Sequence, residues 1–430
     1  MEKKRYAVCG VSNRAMAMFM GPMLESFSHC AELVGMLDID PRRFEVCRER
    51  VPGTVNVPTY LDTEFEKMLA EQKPDVLIVT SIDRTHVDYV IGGLAHGLDV
   101  VCEKPMTTNT ADAMRILEAE KNSKGKVICS FNYRYTPTHK KLREMILDGK
   151  IGRVTHVDLN WYIDIHHGSS YFHRWNRMRE NSGSLTMHKS SHHFDLVNWW
   201  IDGIPEMVHA FGALNHFGPE GEFNPSKKDG RLCRNCEELA KCPYRMRWTN
   251  RRNATLQTDD RIQYFTDPPK NYTKYTPDKC IFDSEINIYD TYIANVRYKN
   301  GALLNYSANF STPYEGYRLA INGTRGRLET MEFMGGVQGS IPPFHEDGKQ
   351  YIDYFPIFAG RERIHTVQGW GGHGGGDPCI LEDIFLGEDP NRKYDILAKS
   401  RDGFRAIAIG DAVFESITDG QIKDLRSFMI

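Results

Sequence analysis

Gly97-Leu98-Asp99-Val100-Val101-Cys102-Glu103-Lys104-Pro105 (GLDVVCEKP) is the stretch on which the reading of this chain turns. A short apolar run ends in a carboxylate, an amine and a proline, so a buried strand stops where titratable groups begin. Taken alone, Glu103-Lys104-Pro105 describes a surface lysine before a turn as well as it describes a site. The residues on either side separate the two readings.

Outward from this run, strand and helix patterns alternate. Arg5 to Gly10 (RYAVCG) is a short apolar strand, Arg14 to His29 a helix with an apolar stripe, and Glu32 to Asp38 (ELVGMLD) a second strand. The pattern continues through the strand Pro74 to Thr80, the helix Thr85 to His96, the strand Leu98 to Glu103 and the helix Asn109 to Lys121, with Asn109 as its N-cap. Such alternation argues for a parallel sheet covered on both faces, with ligands at the carboxyl ends of its strands. Strand one is followed by Gly10-Val11-Ser12-Asn13-Arg14-Ala15, which keeps only the first glycine of G-x-G-x-x-G. Ser12 and Ala15 are small enough for the backbone still to approach a pyrophosphate, and Arg14 adds a charge-assisted contact. Asp38 ends strand two, where a carboxylate accepts from ribose hydroxyls and repels a 2′-phosphate. NAD is therefore expected over NADP, although Arg42 and Arg43 lie nearby.

Ala7 to Ala15, Asp75 to His86 (DVLIVTSIDRTH), Gly97 to Pro105, Phe131 to Tyr135 (FNYRY), Ile146 to Val154 (ILDGKIGRV) and Gly183 to Asp195 (GSLTMHKSSHHFD) together resemble the Gfo/Idh/MocA oxidoreductases, the family of glucose-fructose oxidoreductase and inositol 2-dehydrogenase. They run in the family's order, with a looser match from Asp290 to Glu329. The resemblance implies an α/β protein with a Rossmann NAD-binding domain over residues 1–130. A C-terminal α/β domain over 131–430 would carry a large open, mostly antiparallel sheet, and helix 402–419 would return to the first domain. NAD would lie along Gly10, Ser12, Asn13 and Arg14 with its adenosine ribose at Asp38, its middle near Thr80, Ile82 and His86, and its nicotinamide near Glu103, Lys104, Pro105 and Asn132.

A second constellation is Met187-His188-Lys189-Ser190-Ser191-His192-His193-Phe194-Asp195. If the chain is helical from Met187 onward, His188, His192 and Asp195 fall at i, i+4 and i+7 and line one face. The resemblance implies that such a face presents an aspartate and, four residues later, a histidine to the substrate beside Lys104. His192 matches the histidine, whereas His188 stands in place of the aspartate and cannot supply its permanent charge. Lys189 is a further site candidate that would depress a neighbouring histidine's pKa. The competing explanation is a set of helix histidines packed in a polar core.

Substrate contacts are expected from Arg134 and from His173, Arg174 and Trp175 in the loop IHHGSSYFHRW, whose aromatic faces and polar tips suit a sugar. The run Trp370-Gly371-Gly372-His373-Gly374-Gly375-Gly376-Asp377 reads as a lid or close backbone approach that carries His373 into the site. A similar Gly-His-Gly-Gly segment occurs in NAD-dependent glycosidases of the same superfamily.

Residues 215–283 form a polar insertion containing Cys233-x2-Cys236-x5-Cys242 and, later, Cys280. These four could hold a structural zinc; free thiols, a labile disulfide or an iron–sulfur cluster are the alternatives. The other six of the ten cysteines are scattered, as packing residues are. A formal net charge of −3 gives no support for nucleic-acid binding. No apolar stretch approaches a membrane span and no signal sequence opens the chain, so a cytoplasmic protein is expected, assembled as a homodimer or homotetramer. The activity expected is NAD-dependent oxidation of a secondary hydroxyl, first choice C3, of a pyranose or glycoside. Lys104, His192, His188 and Lys189 would be its catalytic groups. An NAD-recycling glycosidase or lyase and a non-catalytic NAD/sugar sensor are the alternatives.

Overall fold

A computed structural model describes residues 3–244, 275–336, 350–367, 369, 372–390 and 394–429. The chain folds as two compact units: Met1–Glu144 with Met187–Trp200 and Gln368–Ala408, and Met145–Thr186 with Ile201–Val367 and Ile409–Ile430. Among the described residues no helix is long and apolar enough to cross a membrane.

In the first unit the apolar runs become the parallel strands β1 (Lys4–Cys9), β2 (Ala31–Asp38), β3 (Thr59–Leu61), β4 (Val76–Val79), β5 (Asp99–Cys102) and β6 (Val127–Cys129). They pair in the order β3-β2-β1-β4-β5-β6. All of β4 is buried, as a sheet covered on both faces requires. Strand order reverses between β1 and β4, and a doubly wound sheet takes its ligand outside the carboxyl ends at that point. Gly10, Thr80 and Glu103 immediately follow β1, β4 and β5, so the three loops that carry the site converge there.

The helix expected over Arg14 to His29 is shorter and irregular. Ala15–Met20 is a π-helix and only Gly21–Leu24 is α-helical. Gly21 N–H bonds to Met16 O, five residues back, and Pro22 has no N–H to restore the ordinary ladder. The helix expected to run on from Met187 is also broken, into Leu185–His188 and Ser191–Ile201.

The second unit contains β7 (Val154–Asp164), β8 (Pro205–Ala213), β9 (Thr291–Tyr298), β10 (Leu303–Thr312), β11 (Tyr314–Gly323), β12 (Gly326–Gly336), β13 (Gln350–Pro356), β14 (Glu362–Thr366) and β15 (Lys423–Asp424). They form a nine-stranded sheet ordered β14-β13-β12-β11-β7-β10-β9-β8-β15. Only the β7–β10 pair is parallel; the others are antiparallel. Buried and exposed residues alternate along β9, the signature of a strand with one face on a core. The segment expected as a loop is the helix Ile165–His173, because the Asp164 side chain accepts from His166 N and His167 N and caps it.

Arg134 serves the core of the first unit rather than a ligand. Its side chain is 2% exposed and it donates to both carboxylate oxygens of Asp195, with Asp402 at 3.3 Å. Burial would raise Asp195 to about 6 even against this partner, so the pair has to stay together. Removing one member leaves a buried, uncompensated charge. Arg134→Ala should therefore cost the first unit about 3–5 kcal/mol, read as a lowered midpoint in denaturant unfolding; an unchanged midpoint would contradict the pairing.

Candidate active site

Gly10 closes β1 with φ +94°, and a Cβ there would lie 2.4 Å from Ser81 N. Only glycine lets the two loops approach, so the one glycine retained from the fingerprint is the one that sterics demand. Ser12 takes the place of the second glycine and accepts from Ala15 N at 3.1 Å, capping the turn that follows. Thr80 Oγ1 donates to Gly10 O at 2.6 Å. His86 is fully buried, with Nδ1 2.8 Å from Pro105 O and Nε2 3.1 Å from Ser81 O. Thr80 and His86, expected near the middle of the dinucleotide, thus brace the loops, while half-buried Ile82 lies between them.

Asp38 accepts from Val11 N at 2.7 Å and from Asp40 N at 2.9 Å at the end of β2. Arg42 forks onto Asp40, with both contacts at 3.0 Å. Arg43 donates to Val11 O at 2.8 Å and to Asn13 Oδ1 at 3.3 Å. Both arginines therefore hold protein groups.

Arg14, expected at a pyrophosphate, instead spans two carboxylates: Glu103 at 2.6 Å and Asp377 at 3.4 Å. Burial works to raise Glu103, but Arg14 and Lys104 hold it below the ordinary carboxylate range. Lys104 precedes a cis peptide bond to Pro105 and its Nζ donates to His188 O at 3.0 Å. Burial lowers its pKa to about 8, with Glu103 opposing and Lys189 assisting.

The broken helix turns its residues to different partners. His188 Nδ1 is hydrogen-bonded to Asp83 Oδ2, and burial has pushed Asp83 up to about 7 against the pull of His86 and Lys104. Asp195 goes to Arg134. His192 stands edge-on to Tyr133 with ring centres 4.9 Å apart and lies 6.1 Å from the His373 ring. It is 2% exposed, and its Nδ1 has no hydrogen-bond partner among the described residues. Burial pushes its imidazole well below the ordinary value, and Lys104, His373 and Lys189 push further. Lys189 Nζ lies over the Tyr133 ring at 5.8 Å.

Asp377 and Asp83 were not foreseen as site residues. Asp377 accepts from His373 Nδ1 at 3.1 Å, from Arg14 and from Asn132 Nδ2. Although burial works the other way, His373 and Arg14 hold Asp377 well below the usual carboxylate range. The glycine run is docked here: a Cβ on Gly376 would lie 2.2 Å from Asn132 O. His373 sits at φ +49° before the helix becomes regular. Trp370 lies outside the described residues. The i, i+4 spacing of His373 and Asp377 was a readable signal; nothing in the sequence pairs Asp83 with His188.

Two features fit a dinucleotide: the bare backbone that Gly10 keeps at the end of β1, and Asn132 Oδ1, which is buried without a partner among the described residues. The remaining expected contacts belong to the second unit. There His173 is buried with Nδ1 2.6 Å from Lys279 O, Arg174 donates to Ser170 O at 2.9 Å, and Trp175 N lies 3.4 Å from the Tyr275 hydroxyl. Cys233, Cys236, Cys242 and Cys280 carry no disulfide. Among the described residues no three His, Cys, Asp or Glu side chains form a group ready to hold a metal ion.

Residues 4–132 match the family described as "Oxidoreductase family, NAD-binding Rossmann fold", and residues 143–424 match its "C-terminal alpha/beta domain". The chain is 52% identical over 417 residues to YteT of Bacillus subtilis (strain 168), a protein named as an oxidoreductase, covering 97% of this chain and 96% of that one. An inositol 2-dehydrogenase of Gluconacetobacter diazotrophicus is 33% identical over 136 residues, 30% of this chain and 37% of its own. In fold the chain is similar to a levoglucosan dehydrogenase solved with NADH and levoglucosan (TM-score 0.66, 14% identity, 98% of this chain and 99% of that one). It is also similar to the WlbA dehydrogenase of Bordetella pertussis solved with NADH and UDP-GlcNAcA (TM-score 0.63, 18% identity, 99% of each chain). With a family match across both parts of the chain and a Rossmann sheet whose loop after β5 carries Lys104 to His188 O, the chain belongs to the Gfo/Idh/MocA family and is an NAD-binding oxidoreductase of the dehydrogenase kind.

Proposed function

We propose that this enzyme oxidises a secondary hydroxyl of a pyranose sugar or glycoside with NAD as acceptor. The reading is carried by the Lys104 amine, held by His188 O at 3.0 Å with a pKa lowered to about 8, whose charge helps to keep the buried His192 neutral. Relatives named for inositol and levoglucosan support a hydroxyl-bearing ring as the substrate class. Gly10, Ser12 and Asn13 would line the phosphates, Asp38 the adenosine ribose, and Asn132 the nicotinamide end. When bound, NAD supplies the hydride acceptor.

The residues supply alignment and a proton path. Lys104 holds the hydroxyl oxygen, and His192, neutral throughout the working pH range, takes its proton. An imidazolium at 192 would sit beside Lys104 and Lys189, so the proton is shared with the Lys104 amine, the stronger base. Asp83 supplies through His188 the carboxylate that position 188 lacks. His188 and Lys189 would position neighbouring hydroxyls.

Position 3 is the first choice of carbon, because a 3-keto group acidifies the C2 hydrogen and serves a second reading as well. In that reading the ketone permits elimination of the anomeric substituent before the hydride returns. His373, backed by Asp377 and close to His192, favours it as an acid for the leaving group. A sugar and glycoside panel followed at the reduced-nicotinamide band separates the two: stoichiometric NADH marks the dehydrogenase, and glycoside cleavage without net NADH the recycling enzyme. Tight NAD binding with no turnover on any sugar would overturn both.

General-base action needs the neutral amine, so kcat/KM should rise with pH through about 8 and level off above it. Lys104→Met should abolish that limb, and Lys104→Met and His192→Ala should each lower turnover by about 10²-fold or more, less than additively. Full single-turnover activity in His192→Ala would remove it as base.

Asp83 raises the Lys104 pKa by its charge, so Asp83→Asn should move the limb to lower pH as well as slow turnover. A limb shifted upward would contradict the coupling. For the cofactor, Asp38→Ala should erode selectivity for NAD over NADP, since it deletes both an acceptor and a repulsive charge. Titration of both nucleotides showing unchanged selectivity would displace the ribose from Asp38.

A further inference from the structure

The polar segment after β8 is clasped to a distant strand. Cys233 N donates to Asp278 O and Cys280 N to Arg231 O, each at 2.8 Å, with Leu232 opposite Lys279 in an antiparallel bridge. In such a pairing alternate residues share a face, so Cys233 and Cys280 lie on the same side as diagonal neighbours. Cys233–Asn235 is a 3₁₀ turn closed by Cys236 N to Cys233 O at 3.4 Å, which presents both thiols of the C-x2-C pair from one loop. A further turn, Cys242 N to Glu238 O at 3.1 Å, brings in the third cysteine of the segment.

All four cysteines line one small cavity with His173 and Arg231, and the rest of the lining is aliphatic or aromatic. We propose that Cys233, Cys236, Cys242 and Cys280 together bind a thiophilic metal centre in this cavity, which fastens the inserted segment to the second unit. Much of the cysteine segment is exposed, so apolar burial alone does little to hold it.

Binding takes one proton from each thiol to solvent and forms a metal–sulfur bond in its place. The outer partners suit four thiolates. His173 Nδ1 donates to Lys279 O at 2.6 Å, and the same nitrogen lies 3.9 Å from Cys233 Sγ, so the imidazole is anchored beside one sulfur. Arg231 brings a positive charge to the same wall.

Among the described residues no three side chains yet converge on a single ion. The sulfurs therefore either close by rotamer change around zinc or span a wider iron–sulfur cluster, two sources of one thiolate chemistry.

The test uses the full chain purified without chelator under anaerobic conditions, analysed for zinc, iron and sulfide and by visible absorbance. About one zinc per chain in a colourless protein, or iron with sulfide and a broad absorbance near 400 nm, is the expected result. Cys236→Ser and Cys280→Ser should each lose most of that metal and melt earlier, with NAD affinity unchanged because these residues lie outside the Rossmann unit. Should a variant fail to fold, protection of the four thiols from a thiol reagent, lost on adding a chelator to wild type, reports the same bonds. Wild type that stays metal-free after anaerobic reconstitution with zinc, or with iron and sulfide, overturns the proposal. So does metal retained equally by both variants.

Discussion

An amine partly withdrawn from water at Lys104 sets the terms for the groups around it. Burial alone would neutralise it further; Glu103 and Asp83 return part of the lost stabilisation, so its pKa rests at about 8 instead of lower. Glu103 stays ionised inside the protein because Arg14, 2.6 Å away, and Lys104 outweigh the burial. Arg14 is in turn reached by Asp377, which accepts from His373 and Asn132. A proton path and a support shell are thus one connected set of charges, in which neighbouring substitutions will not act independently.

The site also shows how a carboxylate can be supplied from elsewhere in the fold. A histidine occupies position 188, and the carboxyl group comes from Asp83, in the short turn that follows β4, through a hydrogen bond to that histidine. The charge remains near the amine while the group exposed at position 188 becomes an imidazole. Brønsted reasoning makes this consequential, since an amine near neutrality transfers protons more readily than one at its ordinary pKa.

Some of this was legible in the chain. Largely apolar runs ending at Gly10, Thr80 and Glu103 placed three loops on one edge of a parallel sheet, because period and composition report burial directly. The family motifs singled out Lys104 and His192, and in the structure the charge of Lys104 reaches the His192 imidazole. Arg134 misled, because a buried arginine and a ligand-binding arginine look alike until the partner, here Asp195, is known. The histidine helix misled differently: i, i+4 spacing assumes one continuous helix, and the break before Ser191 sends His188 and Asp195 to unrelated carboxylate and guanidinium partners.

By itself the sequence determined the strand–helix alternation, the glycine at the end of β1 and the family, since each rests on local pattern and on which residues a tight backbone tolerates. Only the tertiary structure decided where the charges went. Asp83 meets His188, Asp377 meets Arg14, and Cys280 meets the cysteine turn across long stretches of chain. Ionic and thiol chemistry depends on distance and burial, neither of which is a local property of sequence.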